Sequence, residues 1–369
     1  MMKSRKPVDF WILITTFILL ALGTIMVFSA SAAYAYNYYH DTYYFLKKQL
    51  TMLPIAFTAM LFTMNIDYRK LGKWSPIFVV VSIFLLILVF VPGIGTATKG
   101  ARRWLDLKVT SFQPSEFAKM AVILFFSYSL SKRKNQLHSF FKGLLPYLVL
   151  IGIYAALLLL EPHLSGTMII AMVACIILFC AGARIKHFVI LALPAVAGLA
   201  AAIAFSDYRR ERFLSFLNPL EDAQGSGWQI INSLYAIGSG GLFGRGLGKS
   251  LQKFLYIPEP HNDFILAVLA EELGFVGVLL VMILFSIFIW RGIKISMNAP
   301  DTFGSLTAVG ITSLIAVQVI INVAVVTASM PVTGMPLPFF SYGGTSLVFL
   351  MSEVGILLNI SRYANYERI

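Results

Sequence analysis

Residues 256–274 read Tyr-Ile-Pro-Glu-Pro-His-Asn-Asp-Phe-Ile-Leu-Ala-Val-Leu-Ala-Glu-Glu-Leu-Gly, a polar loop that passes without a break into an apolar helix. Asp263 stands at that junction. A carboxylate there can take a proton from an attacking hydroxyl, or it can cap the helix, since Asp is a favoured N-cap. Glu271 and Glu272 follow, roughly 12 Å further along if the segment is helical. Carboxylates at or below a membrane boundary are costly, which makes all three functional candidates. A second constellation is Gln113-Pro114-Ser115-Glu116-Phe117-Ala118-Lys119. Glu116 and Lys119 are three apart, so on a helix they share a face and can pair. The pair is either a structural salt bridge or the lining of a polar cavity that positions a substrate. Two loops add cations. Lys99, Arg102, Arg103 and Lys108 stand against Asp106 alone in one, and Arg209, Arg210, Arg212, Arg245, Lys249 and Lys253 lie in the other. They suit an anionic ligand such as a phosphate group, or lipid headgroups.

The elements that must hold these residues are transmembrane. The chain has 369 residues, of which 58% are hydrophobic and 12% charged, with a mean hydropathy of +0.80. That composition excludes a soluble globular domain and indicates an all-α polytopic membrane protein forming one continuous domain, 1–369. Apolar windows predict about ten spans, near 10–33, 50–66, 75–92, 115–131, 144–161, 166–182, 188–206, 264–290, 303–328 and 346–361. Lys3, Arg5 and Lys6 before an apolar run, with Ala30-Ser31-Ala32 after it, imitate a signal peptide. The run from Phe10 to Phe28 is too long for that, so it reads as an uncleaved first span. An even span count puts both termini on one side. The basic residues that accompany them, from Arg69 to Arg368, make that side cytoplasmic. The net charge of +12 therefore points to orientation, membrane lipids and phosphate rather than to nucleic acid. Basic residues in the short loop after the third span oppose the positive-inside rule, so a ligand outside the membrane is one account of them.

Between spans 7 and 8 lies the large extracytoplasmic loop 207–263. Apolar residues at 228, 231, 234 and 235 predict a short amphipathic helix lying in the interface. Around it, Gly225, Gly227, Gly238, Gly240, Gly241, Gly244, Gly246 and Gly248 crowd together. Gly244 to Ser250 is not a P-loop, because Phe243 occupies the place of its first glycine and no strand precedes it. Such a loop can still offer backbone N–H groups to phosphate. Residues 329–346 are uncharged and hold three prolines and three glycines. An apolar segment that cannot be helical must lie against protein or a wet cavity, here packed back toward the 207–263 loop. Glu161 and His163 fall in a tight outer turn. Cys175 and Cys180 share one span and read as small packing residues, with no disulfide or metal motif.

These stretches together resemble the SEDS family (shape, elongation, division and sporulation), whose members include FtsW, RodA and SpoVE. The resemblance covers nearly the whole chain. It rests on Gly100-Ala101-Arg102-Arg103-Trp104, Gln113-Pro114-Ser115-Glu116, Asn218-Pro219 with Gly225-Ser226-Gly227, Gly238 to Gly244, Pro258-Glu259 through Phe264, Glu271-Glu272-Leu273-Gly274, and Pro331 to Ser346. It is nearer to the FtsW/SpoVE branch than to RodA. The resemblance implies peptidoglycan glycosyltransferase activity on lipid II beside a class B penicillin-binding protein, at the outer face of the bacterial cytoplasmic membrane. It carries the catalytic role onto Asp263, and sets Glu116 and Lys119 in a central cavity. Arg102, Arg103, Lys108, Arg212, Glu259, His261 and Ser341 are then substrate-binding or cavity candidates. Asn262 and His163 depart from the family's usual Thr and Asp.

The chemistry suits the inventory. A sugar hydroxyl attacks an anomeric carbon whose leaving group is already a diphosphate, so one base suffices where a glycosidase needs two carboxyls. Charge on the departing diphosphate calls for cations, supplied by the arginines and lysines above, with Mg or Mn as a further candidate. The rival is a lipid II flippase without chemistry, which ten spans and Pro/Gly-broken segments also fit. A purely structural division scaffold is a third reading, and it leaves Asp263 and the outer basic residues unexplained.

Overall fold

The computed structural model describes residues 6–98, 101–106, 111–133, 137, 139–225, 227–254 and 256–365. Lys108 lies outside them. Among the described residues there are ten long helices, one for each expected span: α1 (Phe10–Tyr39), α2 (Tyr44–Asn65), α3 (Tyr68–Leu88), α4 (Pro114–Lys132), α5 (Leu145–Leu160), α6 (Leu164–Cys180), α7 (Ile185–Ala204), α10 (Ile265–Asn298), α11 (Thr302–Val326) and α12 (Gly344–Ser361). Two shorter helices, α8 (Asp207–Leu217) and α9 (Trp228–Gly240), lie in the long loop between α7 and α10. Seven of the long helices are apolar and long enough to cross a membrane on their own, α5 with the π-turn Phe140–Leu144 that opens it. Of the other three, α6 is slightly short, while α2 and α4 bring lysines into their ends and take their place by packing. The partners are α12 for α2, and α3, α6 and α11 for α4.

The loop between α3 and α4 departs from an all-helical chain. Gly95–Thr98 (β1), Ala101–Asp106 (β2) and Ser111–Phe112 (β3) form an antiparallel sheet in the order β1-β2-β3. Gly95 pairs with Leu105, and Leu105 with Phe112. Thr and Trp favour a pleated surface, and the stretches are too short to bury a helix.

Both described ends of the chain meet at one end of the bundle, as the even span count requires. The Lys6 N–H donates to the Arg362 carbonyl at 3.1 Å, and the Asn365 N–H to the Asn298 carbonyl at 2.9 Å. There Asp9 caps α1 by accepting from the Ile12 N–H at 3.1 Å, and its carboxylate pairs with Arg291 of α10. From Phe10, α1 runs unbroken through Ala30-Ser31-Ala32 to Tyr39.

At the opposite end the chain is less regular. Helix α10 has 34 residues, about 51 Å against a hydrocarbon core of about 30 Å. It breaks at Gly274, whose φ of 68° is a left-handed value that glycine adopts freely. The break frees backbone groups, and residues 241–246 take them up. Phe275 and Val276 donate to the carbonyls of Gly241 and Leu242 at 2.9 and 3.1 Å. Arg245 and Gly246 donate to those of Glu271 and Glu272, each at 2.9 Å. Gly244 and Gly274 face each other so closely that a Cβ on either would collide with the other's backbone.

Helix α9 forms over the expected residues, with one face packed against the protein and the other exposed. Ile230, Asn232, Ser233, Ala236 and Gly240 are buried, with the helix packed on α10. Ser233 Oγ donates to the Val326 carbonyl at 2.7 Å, while Leu234 and Tyr235 on the other face stay exposed. A small-residue face favours close helix contact over lipid. The 329–343 stretch lies against α1, where a Cβ on Gly23 would collide with the Phe339 carbonyl. The rings of Phe339 and Phe340 pack on Phe285 of α10 at 6.3 and 6.2 Å. Of the cysteines, Cys175 is half-buried but Cys180 is exposed, so only the first is a packing residue.

Candidate active site

Asp263 is the last residue but one before α10, and it does not cap that helix. The N-cap position is Phe264, with no side-chain cap. The Asp263 side chain is half-buried, with its Oδ2 beside Gly334, whose added Cβ would sit 3.3 Å away. Its backbone is pinned from α11. The Asn322 amide donates to the Asp263 carbonyl at 2.8 Å and to the Met335 carbonyl at 2.7 Å. Asn322 is fully buried in α11 and was missed in the sequence; an amide within a span is the signal that marks it, and Gln318 one turn earlier carries the same signal. Ser341 Oγ donates to the Asn262 carbonyl at 2.8 Å and accepts from the Leu337 N–H at 2.8 Å. The Tyr342 N–H donates to the His261 carbonyl at 3.1 Å. The 329–346 stretch is therefore bound to the 256–264 turn, as its composition required.

The other candidates in this region have structural partners. Arg212 of α8 donates to the Val332 carbonyl at 3.1 Å. Asn262 donates to Glu259 at 3.2 Å across one turn. His261 is buried among aromatic rings, with Phe45, Tyr34 and Tyr342 at 4.2, 5.3 and 6.0 Å. This places His261 in the support of the turn, out of reach of bulk solvent. Ser341 likewise acts by joining two loops.

Glu271 and Glu272 are corrected outright. Both are wholly buried, and they fill the glycine-rich loop themselves. Glu271 accepts from Ser250 Oγ at 2.5 Å and from the N–H groups of Leu251 and Gln252 at 3.0 and 3.2 Å. Glu272 accepts from Ser29 Oγ at 2.7 Å and from Lys253 Nζ at 2.8 Å. A loop that presents backbone N–H groups is an anion nest. Here the anions are the protein's own carboxylates, so the 244–253 loop is fastened to α10 and these N–H groups are not offered to phosphate.

A second polar group forms where α4 begins. Lys119 Nζ and Glu116 Oε2 are 2.8 Å apart, with side chains only 7% and 13% exposed. Glu353 of α12, 3% exposed, interacts electrostatically with both, and sequence reading did not single it out. Arg103 of β2 donates to the Glu161 carbonyl at 3.2 Å and to that of Pro162. Arg103 thereby fixes the turn between α5 and α6, whereas Arg102 is exposed. Glu161 and His163 are buried there. Burial pushes the Glu161 carboxyl up to about 8, with Arg103 opposing. Burial pulls the His163 imidazole down to about 3, and the positive charges of Arg103 and Lys119 act in the same direction. The Gln113 N–H donates to Thr345 Oγ1 at 3.4 Å, so this group adjoins the end of the 329–346 stretch whose middle holds Asp263.

The fold and site thus define a multi-pass helical membrane protein with polar side chains gathered at the end of the bundle away from its termini. Residues 10–366 match the cell cycle protein profile named for FtsW, RodA and SpoVE, and the chain belongs to that family. It is 47% identical to stage V sporulation protein E of Bacillus subtilis strain 168, covering 99% of both chains. It is 44% identical to the probable peptidoglycan glycosyltransferase FtsW of Trichlorobacter lovleyi, covering 97% of this chain and 95% of that one. Among solved structures it resembles a chain of a peptidoglycan synthase complex that coordinates polymerization and crosslinking. That match has a TM-score of 0.80 and 27% identity, and covers 97% of this chain and 99% of that one. It also resembles the rod shape determining protein RodA of Thermus thermophilus, with a TM-score of 0.71, 26% identity, and coverage of 97% and 98%.

Proposed function

We propose that this chain is a peptidoglycan glycosyltransferase that polymerises lipid II, with Asp263 as general base. The observation that carries the reading is the state of Asp263. It is half-buried, does not cap α10, and has its main chain held on Asn322. A rigid turn presenting a partly desolvated carboxylate is what a base for a hydroxyl requires. The acceptor sugar hydroxyl gives its proton to Asp263 as it attacks the anomeric carbon. The bond to the lipid diphosphate breaks in the same displacement, and the sugar centre inverts. The diphosphate leaves as an anion, so no second carboxyl is needed to protonate it. Arg102 is an exposed cation on β2 suited to the departing charge.

Among the described residues, no three His, Cys, Asp or Glu side chains converge where a metal ion could sit. A Mg or Mn ion held by one or two carboxylates together with the substrate diphosphate would supply charge neutralisation at the leaving group. The basic-residue pattern supports cytoplasmic termini and an Asp263 end that faces outside the bacterial cytoplasmic membrane. The likeness to a chain of a synthase complex supports a class B penicillin-binding transpeptidase as partner. The test is polymerisation of lipid II by wild type and Asp263→Ala, each with and without the transpeptidase and divalent cation. Glycan strands from wild type alone support the reading. Equal strands from both remove Asp263 from the mechanism. No strands from either folded protein favour the flippase.

A further inference from the structure

Away from the Asp263 end, a groove opens on the flank of the bundle. Helices α3, α4 and α5 line a cavity of about 440 Å³ near the end that carries the chain termini. Its walls include Pro76 and Val80 of α3, Phe125 and Ser129 of α4, and Leu150 and Ile153 of α5. Val80 and Ile153 are 67% and 41% exposed, so the groove is open toward lipid. Tyr147 closes its inner wall, with its hydroxyl 2.8 Å from Ser129 Oγ. Deeper in the bundle α3 and α5 meet at Ser82 and Tyr154, whose buried hydroxyls are 2.5 Å apart. The groove therefore has a floor and a closed far end. From Phe125 to Arg133 is about 12 Å along α4, close to the depth of one leaflet, half of a core about 30 Å thick. An apolar cavity of about 150 Å³ holds one benzene ring, so this one has room for roughly three, the bulk of one acyl chain.

The mouth of the groove is charged. Arg133 lines it, just past the last residue of α4. Among the described residues its guanidinium joins no ion pair or hydrogen bond, and no carboxylate lines the groove. Lys132 beside it is already engaged, over the Tyr128 ring at 4.3 Å. Lys142 stands in the π-turn that opens α5, and Lys73 lies one turn before Pro76 on α3, toward the same end. A cationic rim above an apolar slot matches an amphiphile with an anionic head. An arginine stem can lie along apolar surface while its planar fork reaches the interface and grips phosphate oxygens. Basic pockets between helices at a membrane face hold anionic lipid heads in this way. We propose that the groove between α3, α4 and α5 is a binding site for one anionic phospholipid. One acyl chain fills the slot, and the phosphate accepts from Arg133. The bound chain braces α3 and α5 against α4, whose other end carries Glu116 and Lys119. The site lies at the opposite end of the bundle from Asp263 and does not rest on the glycosyltransferase reading.

The experiment titrates the full chain in neutral detergent with phosphatidylglycerol, with phosphatidylcholine of the same acyl chains, and with a polyprenyl phosphate. Native mass spectrometry reads the affinity for the first bound lipid. Wild type should bind phosphatidylglycerol about tenfold more tightly than phosphatidylcholine, the factor that one charge-assisted hydrogen bond supplies. Arg133→Gln should bring phosphatidylglycerol down to the phosphatidylcholine value. Ile153→Trp, which fills the slot and leaves the cation in place, should weaken both. Lys294→Gln removes a cation from α10 at the same end of the bundle and should leave the preference intact. Arg133 and Ile153 are exposed to solvent or lipid, so both variants should unfold at the wild-type midpoint without added lipid. Phosphatidylglycerol should then raise that midpoint in wild type and not in Arg133→Gln. Equal affinities in wild type, or a preference that survives Arg133→Gln, would overturn the proposal and leave only ordinary surrounding lipid. Unchanged binding in Ile153→Trp would overturn it too, since the lipid would then sit elsewhere. A polyprenyl phosphate that binds more tightly than phosphatidylglycerol, with the same dependence on both residues, would give the groove to a different occupant.

Discussion

Two ion pairs in this protein have the same length and should behave in opposite ways. Lys253 and Glu272 are 2.8 Å apart with side chains 5% and 0% exposed. Lys47 and Asp41 are also 2.8 Å apart, but 68% and 35% exposed. Truncating Glu272 to Ala leaves a buried ammonium whose one remaining hydrogen bond is to Ser29 Oγ, at 3.2 Å. It also takes the acceptors from Ser29 and from the Ser250 N–H. Breaking a buried pair from one side costs about 3–5 kcal/mol, because the surviving charge has no water to return to. Asp41→Ala exposes nothing that was not already solvated, so no measurable loss is expected. The assay is denaturant unfolding of both variants in the same detergent, with limited proteolysis reporting on the 241–254 loop. Glu272→Ala should lose stability and open that loop to cleavage. Glu272→Gln with Lys253→Met, which removes both charges, should return to within about 1 kcal/mol of wild type. A Glu272→Ala protein as stable as Asp41→Ala would refute the reasoning, since burial would then not be setting the cost.

Asp263→Ala should stay folded while its lipid II polymerisation disappears; an unfolded variant would instead favour a structural role for Asp263. Gly274→Ala puts a Cβ at a left-handed φ of 68° and against the Gly244 backbone. A loss of at least about 1–3 kcal/mol is expected, and an unchanged unfolding midpoint would show that the kink relaxes freely. Glu161, with its folded value raised to about 8, binds more protons in the folded state than in the unfolded one between its ordinary range and pH 8. Its contribution to stability is therefore full at low pH and falls as pH rises through that window. His163, lowered to about 3, has the opposite sign: the unfolded state binds more protons between about 3 and 6.5, so stability falls as pH drops through that range. Unfolding across pH should lose the upper slope in Glu161→Gln and the lower slope in His163→Gln. Unaltered profiles would mean that neither group is buried as the structure has it.

Much of this protein is legible in one dimension because a membrane imposes simple rules. A span must be apolar over about 20 residues, and ten such windows became ten long helices. Pro and Gly in 329–346 forbid a regular helix, and the structure packs that stretch against α1 and the 256–264 turn. Charges inside spans are rare enough to be noticed singly, which is how Asp263, Glu116 and Lys119 stood out. The same rule misled at Glu271 and Glu272. Costly burial says that a carboxylate must have a partner, and it does not say whether the partner is a substrate or another part of the chain. The pairing of Glu271 and Glu272 with residues 250–253 depends on a loop returning to its own helix some 20 positions on, and no local pattern records that.

Composition and spacing by themselves determined that the chain is a helical membrane protein, where its spans lie, and which acids and bases are candidates. They suffice there because hydrophobic length and helical periodicity are properties of contiguous residues. Only the tertiary structure decided which candidates are structural. It assigned Arg103 to the 161–162 carbonyls, His261 to an aromatic cluster, and Glu271 and Glu272 to a glycine-rich loop. It also brought Asn322 to Asp263. Those pairings join residues from about 20 to more than 200 positions apart, and their energies come from the burial and geometry of contact, which exist only once the helices have packed.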